Sequence, residues 1–293
     1  MTLEDNNKIG QDIIRCSVTL PDQAGRERTV IKEKEAFDTA AKHSVSLYEI
    51  YETALKNGIL PYRYIRNLGS ITIDDQLKLL ESRVGVVGAG GLGGQAIILL
   101  ARLGIGNLVI IDHDVFDETN LNRQALSGVN VLGKSKAETA KAAVANINPA
   151  VCVTAFHARL ENSNADDILK GSDVIIDALD NVADRFTLED FSKKFDIPLV
   201  HGAVAGLDGQ IMTIFPGDTG MENIYSKTAH SIPPEKSPVA ILGVPAFTPA
   251  IVASYQVIEV IKIILKNENP LRNMLVYMDL AKCESRKLRF KDG

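Results

Sequence analysis

The sequence predicts an α/β fold, a Rossmann-like and mostly parallel sheet with flanking helices, preceded by a small N-terminal α+β extension. From about residue 61 onward, short apolar runs alternate with longer helical segments, as in parallel strands joined by right-handed crossovers. A glycine-rich turn at 88–93 directly follows one apolar run and opens a helical segment. At 293 residues, the chain is long enough for one large α/β domain with an appendage.

Composition and charge narrow the class of protein. Apolar residues make up 45% and charged residues 24%, as in an ordinary globular protein, and the formal net charge of −5 argues against a nucleic-acid partner. The most apolar stretch, 239–265, contains Pro245, Pro249, Glu259 and Lys262, so we predict a core or dimer-interface helix and no membrane span. A polar N-terminus and three scattered cysteines indicate a cytoplasmic protein.

The first part of the chain, 1–60, differs in pattern from the rest. Loose alternation at 13–20 predicts a strand, and 29–32 predicts the strand that returns after a turn. Apolar residues at helical spacing predict one helix over 33–56, which ends at Asn57-Gly58. We therefore predict an N-terminal extension made of a hairpin plus a helix, whose role the sequence does not indicate.

The second part, 61–293, is predicted to be one α/β domain with a clear order of elements. Strands are predicted at 83–87, 107–111, 151–156, 173–177, 199–202 and 210–215, with two more in the pattern 274–278 and 280–290. Helices are predicted at 94–103, 134–146 and 183–195. The carboxyl ends of such parallel strands are where ligands gather in open α/β sheets.

The glycine turn has the spacing of a nucleotide-binding motif. Gly88 permits the tight turn, Gly90 lets backbone amides approach phosphate, and Gly93 lets the helix pack closely on the strand. The N-terminus of the helix then offers unpaired N–H groups and a positive dipole end to an anion. The turn alone is equally compatible with NAD and ATP.

Two aspartates follow the next predicted strand. Asp112 ends that strand, 24 residues after Gly88, where a carboxylate accepts hydrogen bonds from ribose hydroxyls of NAD or ATP. Asp114 lies at the same edge, and a ligand role and a solvated loop position are equally compatible with it.

The polar segment downstream favours ATP over NAD. It contains Asn120, Arg123 and Gln124, and Lys136 follows at the start of the next helix. A dehydrogenase has no need of this set beyond its ribose carboxylate. An enzyme that breaks a triphosphate does, because arginine and lysine stabilise the charge that develops as pyrophosphate leaves.

Acidic residues also follow the strand predicted at 173–177. Asp180 is the better candidate for a Mg²⁺ ligand because it lies beyond the strand end, whereas Asp177 is interpreted as a loop or helix cap. Arg185, in the first turn of the following helix, is placed to steady this loop.

Taken together, these residues resemble the MoeB/ThiF/HesA family, relatives of the ubiquitin-activating enzymes, over about three-quarters of the chain. The order and spacing of the set are far more specific than the glycine motif alone. The matching motifs are Arg63-Tyr64-x-Arg66-Asn67, Gly88-x-Gly90-Gly91-Leu92-Gly93, Asp112-x-Asp114, Asn120-Leu121-x-Arg123-Gln124, Gly133-x-x-Lys136 and Asp180-Asn181-x-x-x-Arg185.

The resemblance implies an adenylyltransferase that uses ATP and Mg²⁺ to activate the C-terminal glycine of a ubiquitin-like sulfur carrier ending in Gly-Gly. It also implies a homodimer, in which Arg66 reaches the ATP of the partner subunit. The other implied roles are nucleotide binding by Gly88, Gly90, Gly91, Gly93 and Asp114, ribose binding by Asp112, phosphate binding by Arg123, Gln124 and Lys136, a lining position for Asn120, and Mg²⁺ binding by Asp180.

The sequence departs from many family members in its cysteines. It has no CxxC pair, so we expect no structural zinc. The stretch 217–238, which corresponds to the crossover loop, contains no cysteine, so we predict adenylation without an enzyme thioester. Cys152 is expected to be buried and inert within its strand, and Cys283 to be structural.

Three alternatives stay open at this point. The chain is compatible with a non-catalytic ATP-binding partner or scaffold of an activating complex. A less favoured alternative is an NAD-dependent oxidoreductase, and the other is adenylation of an amino acid or of a peptide C-terminus.

Overall fold

The computed structural model of the protein describes residues 3–225, 236–266 and 269–290. The middle of the cysteine-free stretch, 226–235, lies outside these ranges.

The N-terminal region combines three helices with a small sheet. Its elements are α1 (Leu3–Cys16), β1 (Val18–Pro21), β2 (Glu27–Ile31), α2 (Glu33–His43), α3 (Leu47–Lys56) and β3 (Leu60–Pro61). The strand order is β1-β2-β3, with β1 antiparallel and β3 parallel to β2. A 3-10 helix (Tyr62–Asn67) and α4 (Ile73–Glu81) lead into the main sheet.

The hairpin was predicted correctly, but two details of this region were wrong. Residues 13–16 belong to α1 rather than to a strand, because Ile9 and Ile13 are one turn apart and are both buried on the same helix face. The helix predicted over 33–56 is two helices, since Ser44 adopts a left-handed φ of 54°. Ser46 then caps α3 in a capping box with Glu49, and this pair is a signal in the sequence for the start of a second helix.

Within the described ranges, the main sheet has eight strands in the order β11-β10-β9-β8-β7-β4-β5-β6. The strands are β4 (Arg83–Val87), β5 (Asn107–Ile111), β6 (Cys152–Phe156), β7 (Val174–Asp177), β8 (Leu199–Ala205), β9 (Asp208–Ile214), β10 (Met274–Asp279) and β11 (Glu284–Arg289). The five strands β8, β7, β4, β5 and β6 are parallel, whereas β9, β10 and β11 continue the sheet in antiparallel pairs. The predicted α/β fold with a mostly parallel sheet is therefore confirmed.

Helices cover both faces of this sheet. They are α5 (Gly91–Leu103), α6 (Lys136–Ile147), α7 (Ala165–Leu169), α8 (Val182–Lys194), α9 (Pro238–Leu242) and α10 (Phe247–Ile264). The predicted strands and helices of 83–215 all occur, with ends that differ by a few residues. The largest core lies between β4, β5, α5 and α10, and strands such as β4 and β7 are buried on both faces.

A second core joins the N-terminal region to the main domain. Buried side chains of α1, β2 and α3 pack in one cluster with Tyr64, Leu80 and Ala150, all of which follow residue 61. Arg63 adds polar contacts, because its guanidinium donates to Glu33 Oε1 at 2.6 Å and to the carbonyl of Ile147 at 3.1 Å. The domain boundary near residue 61 stays a prediction from sequence pattern, and packing crosses it.

Helix α10 is the apolar segment that the sequence predicted as a core or interface helix. By length and composition it is apolar enough to cross a membrane, with a mean hydropathy of 1.5 over 18 residues. One face packs on the sheet and buries the polar side chains Gln256 and Glu259. The other face exposes Phe247, Ile251 and Tyr255, together with Ile258.

Candidate nucleotide-binding site

A cleft of about 430 Å³ opens at the carboxyl ends of β4, β5 and β7, the size of a small-molecule site. Nine of the twelve residues predicted to form the site line it, although they are up to 92 positions apart in sequence. They are Gly88, Gly90, Gly91, Asp112, Asp114, Arg123, Gln124, Lys136 and Asp180.

Three predicted site residues do not line the cleft. Gly93 lies beneath the turn, Asn120 is buried in its own loop, and Arg66 is exposed on the 3-10 helix before α4. The side-chain oxygen of Asn120 accepts a hydrogen bond from the backbone N–H of Asp117 at 3.1 Å, so this amide shapes the loop that carries Arg123. Within the described residues, no hydrogen bond or ion pair holds the Arg66 side chain.

The glycine turn has the conformation that its spacing predicts. Gly88 has a φ of 95°, and a Cβ there would lie 2.6 Å from the carbonyl oxygen of Ala178. A Cβ at Gly93 would overlap the carbonyl oxygen of Gly88, so glycine is required for α5 to approach β4. The first N–H groups of α5 have no helical partners, and Gly90, Gly91 and Leu92 line the cleft.

Asp112 braces the glycine turn from β5. Its Oδ2 accepts the N–H of Ala89 at 2.7 Å, and its Oδ1 accepts the N–H of Asp114 at 2.8 Å. The side chain is buried but lies on the cleft wall, and each oxygen has a second lone pair. The residue can therefore hold the turn and still accept a ligand hydroxyl.

Arg123 and Gln124 provide the polar groups opposite the turn. Arg123 donates to the carbonyl of Thr119 at 2.8 Å and to Asn122 Oδ1 at 2.9 Å, and it forms no ion pair with any described residue. The Oε1 atom of Gln124 is buried next to Gly90 without a hydrogen-bond partner in the described structure. The uncompensated cation fits an anionic group of a ligand, and the unsatisfied amide oxygen fits a hydrogen-bond donor of that ligand.

Lys136 is buried at the start of α6 and pairs with Asp114 at 2.9 Å. Burial raises the pKa of Asp114, but the hydrogen bond and charge of Lys136 outweigh it, so the pKa is lowered overall. The ammonium has three donors, of which Asp114 takes one. The pair therefore orients Lys136 and leaves donors for phosphate oxygens.

Asp180 is exposed at the mouth of the cleft, in the turn after β7. Among the described side chains, the amide of Asn181 donates to it at 3.4 Å and no cation pairs with it. Mg²⁺ bound with phosphates typically takes one or two protein carboxylates, and a free carboxylate beside an anion site fits that requirement.

Sequence reasoning missed Arg159, which lines the cleft at the end of β6. It donates to both carboxylate oxygens of Asp184 at 2.8 Å. Although burial raises the pKa of Asp184, hydrogen bonds from Asn181 and Arg159 lower it overall. In the sequence, the only signal is that Arg159 and Asp184 each come after the end of a strand. This signal does not predict that the two side chains form a pair.

The cysteines differ in part from the predictions. Cys152 was predicted to be buried but is exposed, because β6 is an edge strand of the sheet. Cys283, predicted to be structural, is also exposed and has a left-handed φ of 55°. Neither these two nor Cys16 lines the cleft.

Comparisons with known proteins agree with this geometry. The sequence model of the ThiF family matches residues 63–292. The SAMP-activating enzyme E1 of Haloferax volcanii is 37% identical over 220 residues, which are 74% of this chain and 80% of that protein. The adenylyltransferase and sulfurtransferase MOCS3 of Arabidopsis thaliana is 34% identical over 274 residues, 88% of this chain and 58% of that protein. The chain thus spans little more than half of the second relative.

Among solved structures, E. coli MccB with MccA has a TM-score of 0.65 at 20% identity, covering 88% of this chain and 83% of MccB. This likeness concerns the fold. Because the ThiF model leaves out residues 1–62, a match over 88% of the chain also includes part of the N-terminal region.

Proposed function

The chain belongs to the ThiF family, and we propose that it is an ATP- and Mg²⁺-dependent adenylyltransferase for the C-terminal glycine carboxylate of a small ubiquitin-like sulfur carrier. Adenylyltransferase is the activity named for the Arabidopsis relative, and activation of SAMP is named for the Haloferax relative. The observation that carries the proposal is the convergence of the glycine turn, Arg123, Lys136 and Asp180 on one cleft.

In the proposed reaction, a carboxylate oxygen of the carrier attacks the α-phosphorus of ATP. The bond from that phosphorus to the bridging oxygen of the β-phosphate breaks, and pyrophosphate leaves with the electron pair. The product is an acyl-adenylate. Both reactants are anions, so a protein that binds them together must reduce their repulsion.

The residues of the cleft match these requirements. The amides of the glycine turn and Arg123 would bind phosphate oxygens, while Lys136 adds a positive charge held in position by Asp114. Asp112 would accept a ribose hydroxyl. Asp180 would hold Mg²⁺, which when bound neutralises phosphate charge.

Pyrophosphate exchange tests the activity directly. Labelled pyrophosphate should enter ATP only when a carrier ending in Gly-Gly is present. Arg123→Ala should reduce exchange by about 100-fold, the cost of one strong transition-state donor, and Asp180→Ala should also reduce it. Matched controls are Arg15→Ala on α1 and Asp190→Ala on α8, both exposed and outside the cleft.

Two outcomes would contradict the proposal. If the protein keeps its function with Arg123→Ala and with Asp180→Ala, the result would favour a non-catalytic ATP-binding partner. Tight calorimetric binding of NAD, with none of ATP, would favour an oxidoreductase. Exchange with a free peptide or an amino acid instead of a carrier would keep the chemistry but change the substrate.

The proposal excludes a covalent enzyme–carrier thioester. No cysteine lies in 217–238, and none of the three cysteines lines the cleft. Adenylation itself needs no thiol. A carrier complex that is cleaved by hydroxylamine but survives denaturation would contradict this part of the proposal, and a zinc content of about one per chain would contradict the expected absence of zinc.

A homodimer is part of the proposal. The exposed apolar face of α10, with Phe247, Ile251, Tyr255 and Ile258 at helical spacing, is the kind of surface that a second subunit covers. Arg66 lies outside the cleft of its own chain, as expected if it acts on the site of the partner. Location in the cytoplasm and independence from nucleic acid and membranes also stay predictions.

Mixing two inactive variants tests the role of Arg66. If Arg66 acts across the dimer, a mixture of Arg66→Ala and Arg123→Ala subunits contains heterodimers with one intact site. Exchange activity should then recover to about a quarter of wild type, since about half of the dimers are mixed. No recovery, with the formation of mixed dimers verified by mass spectrometry, would show that Arg66 does not act on the site of the partner.

A further inference from the structure

A ring of buried and partly buried polar groups lies beneath the turn that carries Asp180. Arg185 Nη1 donates to the hydroxyl oxygen of Tyr225 at 2.7 Å. The same hydroxyl lies 3.2 Å from His201 Nε2, and His201 Nδ1 lies 2.6 Å from Asp177 Oδ2. Asp177 and His201 are fully buried, and the guanidinium Nε of Arg185 is 3.7 Å from the same Asp177 oxygen. The four side chains therefore form a closed ring, which we call the relay.

The partners fix the direction of every hydrogen bond in the relay. Arg185 can only donate, so the Tyr225 oxygen accepts and its own proton is free for His201 Nε2. His201 then carries its proton on Nδ1 and donates to Asp177. Burial lowers the pKa of His201 against the opposing effect of Asp177, and burial raises the pKa of Tyr225, so both rings are neutral as this arrangement requires.

Two members of the relay hold the backbone of Leu179, the residue next to Asp180. Asp177 Oδ1 accepts the N–H of Leu179 at 2.9 Å, and Arg185 Nη2 donates to the carbonyl of Leu179 at 2.7 Å. The backbone carbonyl of Asp177 is held in turn by Gln256 at 2.7 Å. The position of Asp180 at the cleft therefore depends on Leu179, whose N–H and carbonyl are both held by hydrogen bonds.

We propose that His201 and Tyr225 are positioning residues, which orient Arg185 and Asp177 so that the turn presents the Asp180 carboxylate to Mg²⁺-bound nucleotide. Neither residue lines the cleft, and both act through the backbone of Leu179. This inference rests on the proposed function, because it assigns the relay to the proposed metal ligand of that site.

The test compares ATP affinity with and without Mg²⁺ by calorimetry, on the full chain. Tyr225→Phe keeps the ring contacts to Arg185 and His201 but removes the hydroxyl that joins them. We expect the gain in affinity from Mg²⁺ to fall about fivefold, the effect of about one hydrogen bond, with the Mg²⁺-free affinity unchanged. The matched control is Tyr277→Phe, which removes a hydroxyl bonded to Asp208 outside the cleft and should leave the gain as in wild type.

A double-mutant cycle checks that the two residues act together. His201→Asn places an amide near Nδ1 and keeps a donor for Asp177, but it loses the acceptor for Tyr225. The double variant should lose no more of the gain than Tyr225→Phe alone. Additive losses would overturn the relay.

The outcomes separate this inference from the proposed function. A full Mg²⁺ gain in Tyr225→Phe, equal to that of wild type, overturns the relay and leaves the function intact. A wild type that binds ATP without any gain from Mg²⁺ overturns the metal role of Asp180, and the inference with it. A loss of Mg²⁺-free affinity as large as the loss with Mg²⁺ shows a general structural role instead of positioning.

Discussion

Asp112 directly follows β5 and Asp177 ends β7, the two strands that flank β4, and both carboxylates accept the same kind of backbone hydrogen bond in different surroundings. Each carboxylate accepts a backbone N–H two residues further along the chain, Asp112 from Asp114 and Asp177 from Leu179. Asp112 is 9% exposed and uses its other oxygen on the glycine turn. Asp177 is 0% exposed and uses its other oxygen on His201.

The difference shows how a strand-end carboxylate divides its roles. Both residues shape a loop first, because a buried backbone N–H needs an acceptor. Exposure then decides whether the same residue can also contact a ligand. Asp112 reaches the cleft wall, whereas Asp177 is separated from it and acts through the turn before Asp180.

Replacing Asp177 should have the largest effect on the fold. Asp177→Asn removes the charge that compensates Arg185 in a buried site, and breaking such a pair costs about 3 kcal/mol. The free energy of unfolding, from urea titration, should fall by that amount. A loss below about 1 kcal/mol would show that the His201 hydrogen bond, rather than the charge, holds this region.

Replacing Asp112 should weaken ATP binding more than it destabilises the fold. Asp112→Asn keeps one acceptor for the two backbone N–H groups, so we expect a loss of about 1 kcal/mol in the free energy of unfolding. ATP affinity, measured by calorimetry, should fall about tenfold because a charged acceptor on the cleft wall becomes neutral. Equal ATP affinity in Asp112→Asn and wild type would remove the ligand role of Asp112.

Replacing Asp22 should have the smallest effect on ATP binding and is a control for both strand-end variants. It accepts N–H groups of Ala24 and Arg26 at 2.8 and 3.0 Å in the N-terminal hairpin, outside the cleft. Burial raises its pKa, but these backbone bonds and those from the Arg26 and Arg28 side chains lower it from 3.8 to about 2. Asp22→Asn should destabilise the protein less than Asp177→Asn, because it leaves no buried unpaired cation, and should leave ATP affinity unchanged.

The pH dependence of this third variant has a definite sign. A carboxylate whose pKa is lower in the folded state stabilises the fold above its unfolded pKa and loses that contribution as the pH falls. The stability advantage of wild type over Asp22→Asn should therefore be complete above about pH 4 and should shrink toward pH 2. An advantage that persists unchanged at pH 2 would show that the effect is not due to the charge.

Much of the fold could be predicted because its signals are local. Buried strands such as β4 and β5 are short apolar runs with a glycine turn or an aspartate directly after them. The N-terminal helices were harder, since α1 is short of apolar residues and the break at Ser44 depends on one left-handed residue. The Ser46–Glu49 capping box was a usable signal, because it marks a helix start inside an apparently continuous pattern.

The site residues that come after strand ends could be predicted from the sequence. Asp112, Arg123 and Asp180 meet because parallel strands place their carboxyl ends at one edge. The relay was not predictable, since Tyr225 and His201 come from separate elements and meet only through packing. Asn120 shows a different limit of the prediction. Its side-chain amide forms a hydrogen bond within its own loop and does not line the cleft.

The shared N-terminal core has a consequence for how the protein melts. Tyr64, Leu80 and Ala150 are buried by side chains that come before residue 61, and Arg63 ties Glu33 to the end of α6. The two parts therefore form one cooperative unit, expected to show a single calorimetric transition rather than two. A truncation at residue 61 would follow the sequence pattern yet expose this apolar surface to water, and the shortened chain should aggregate. The N-terminal region therefore supplies one side of the second core, and the main domain supplies the other.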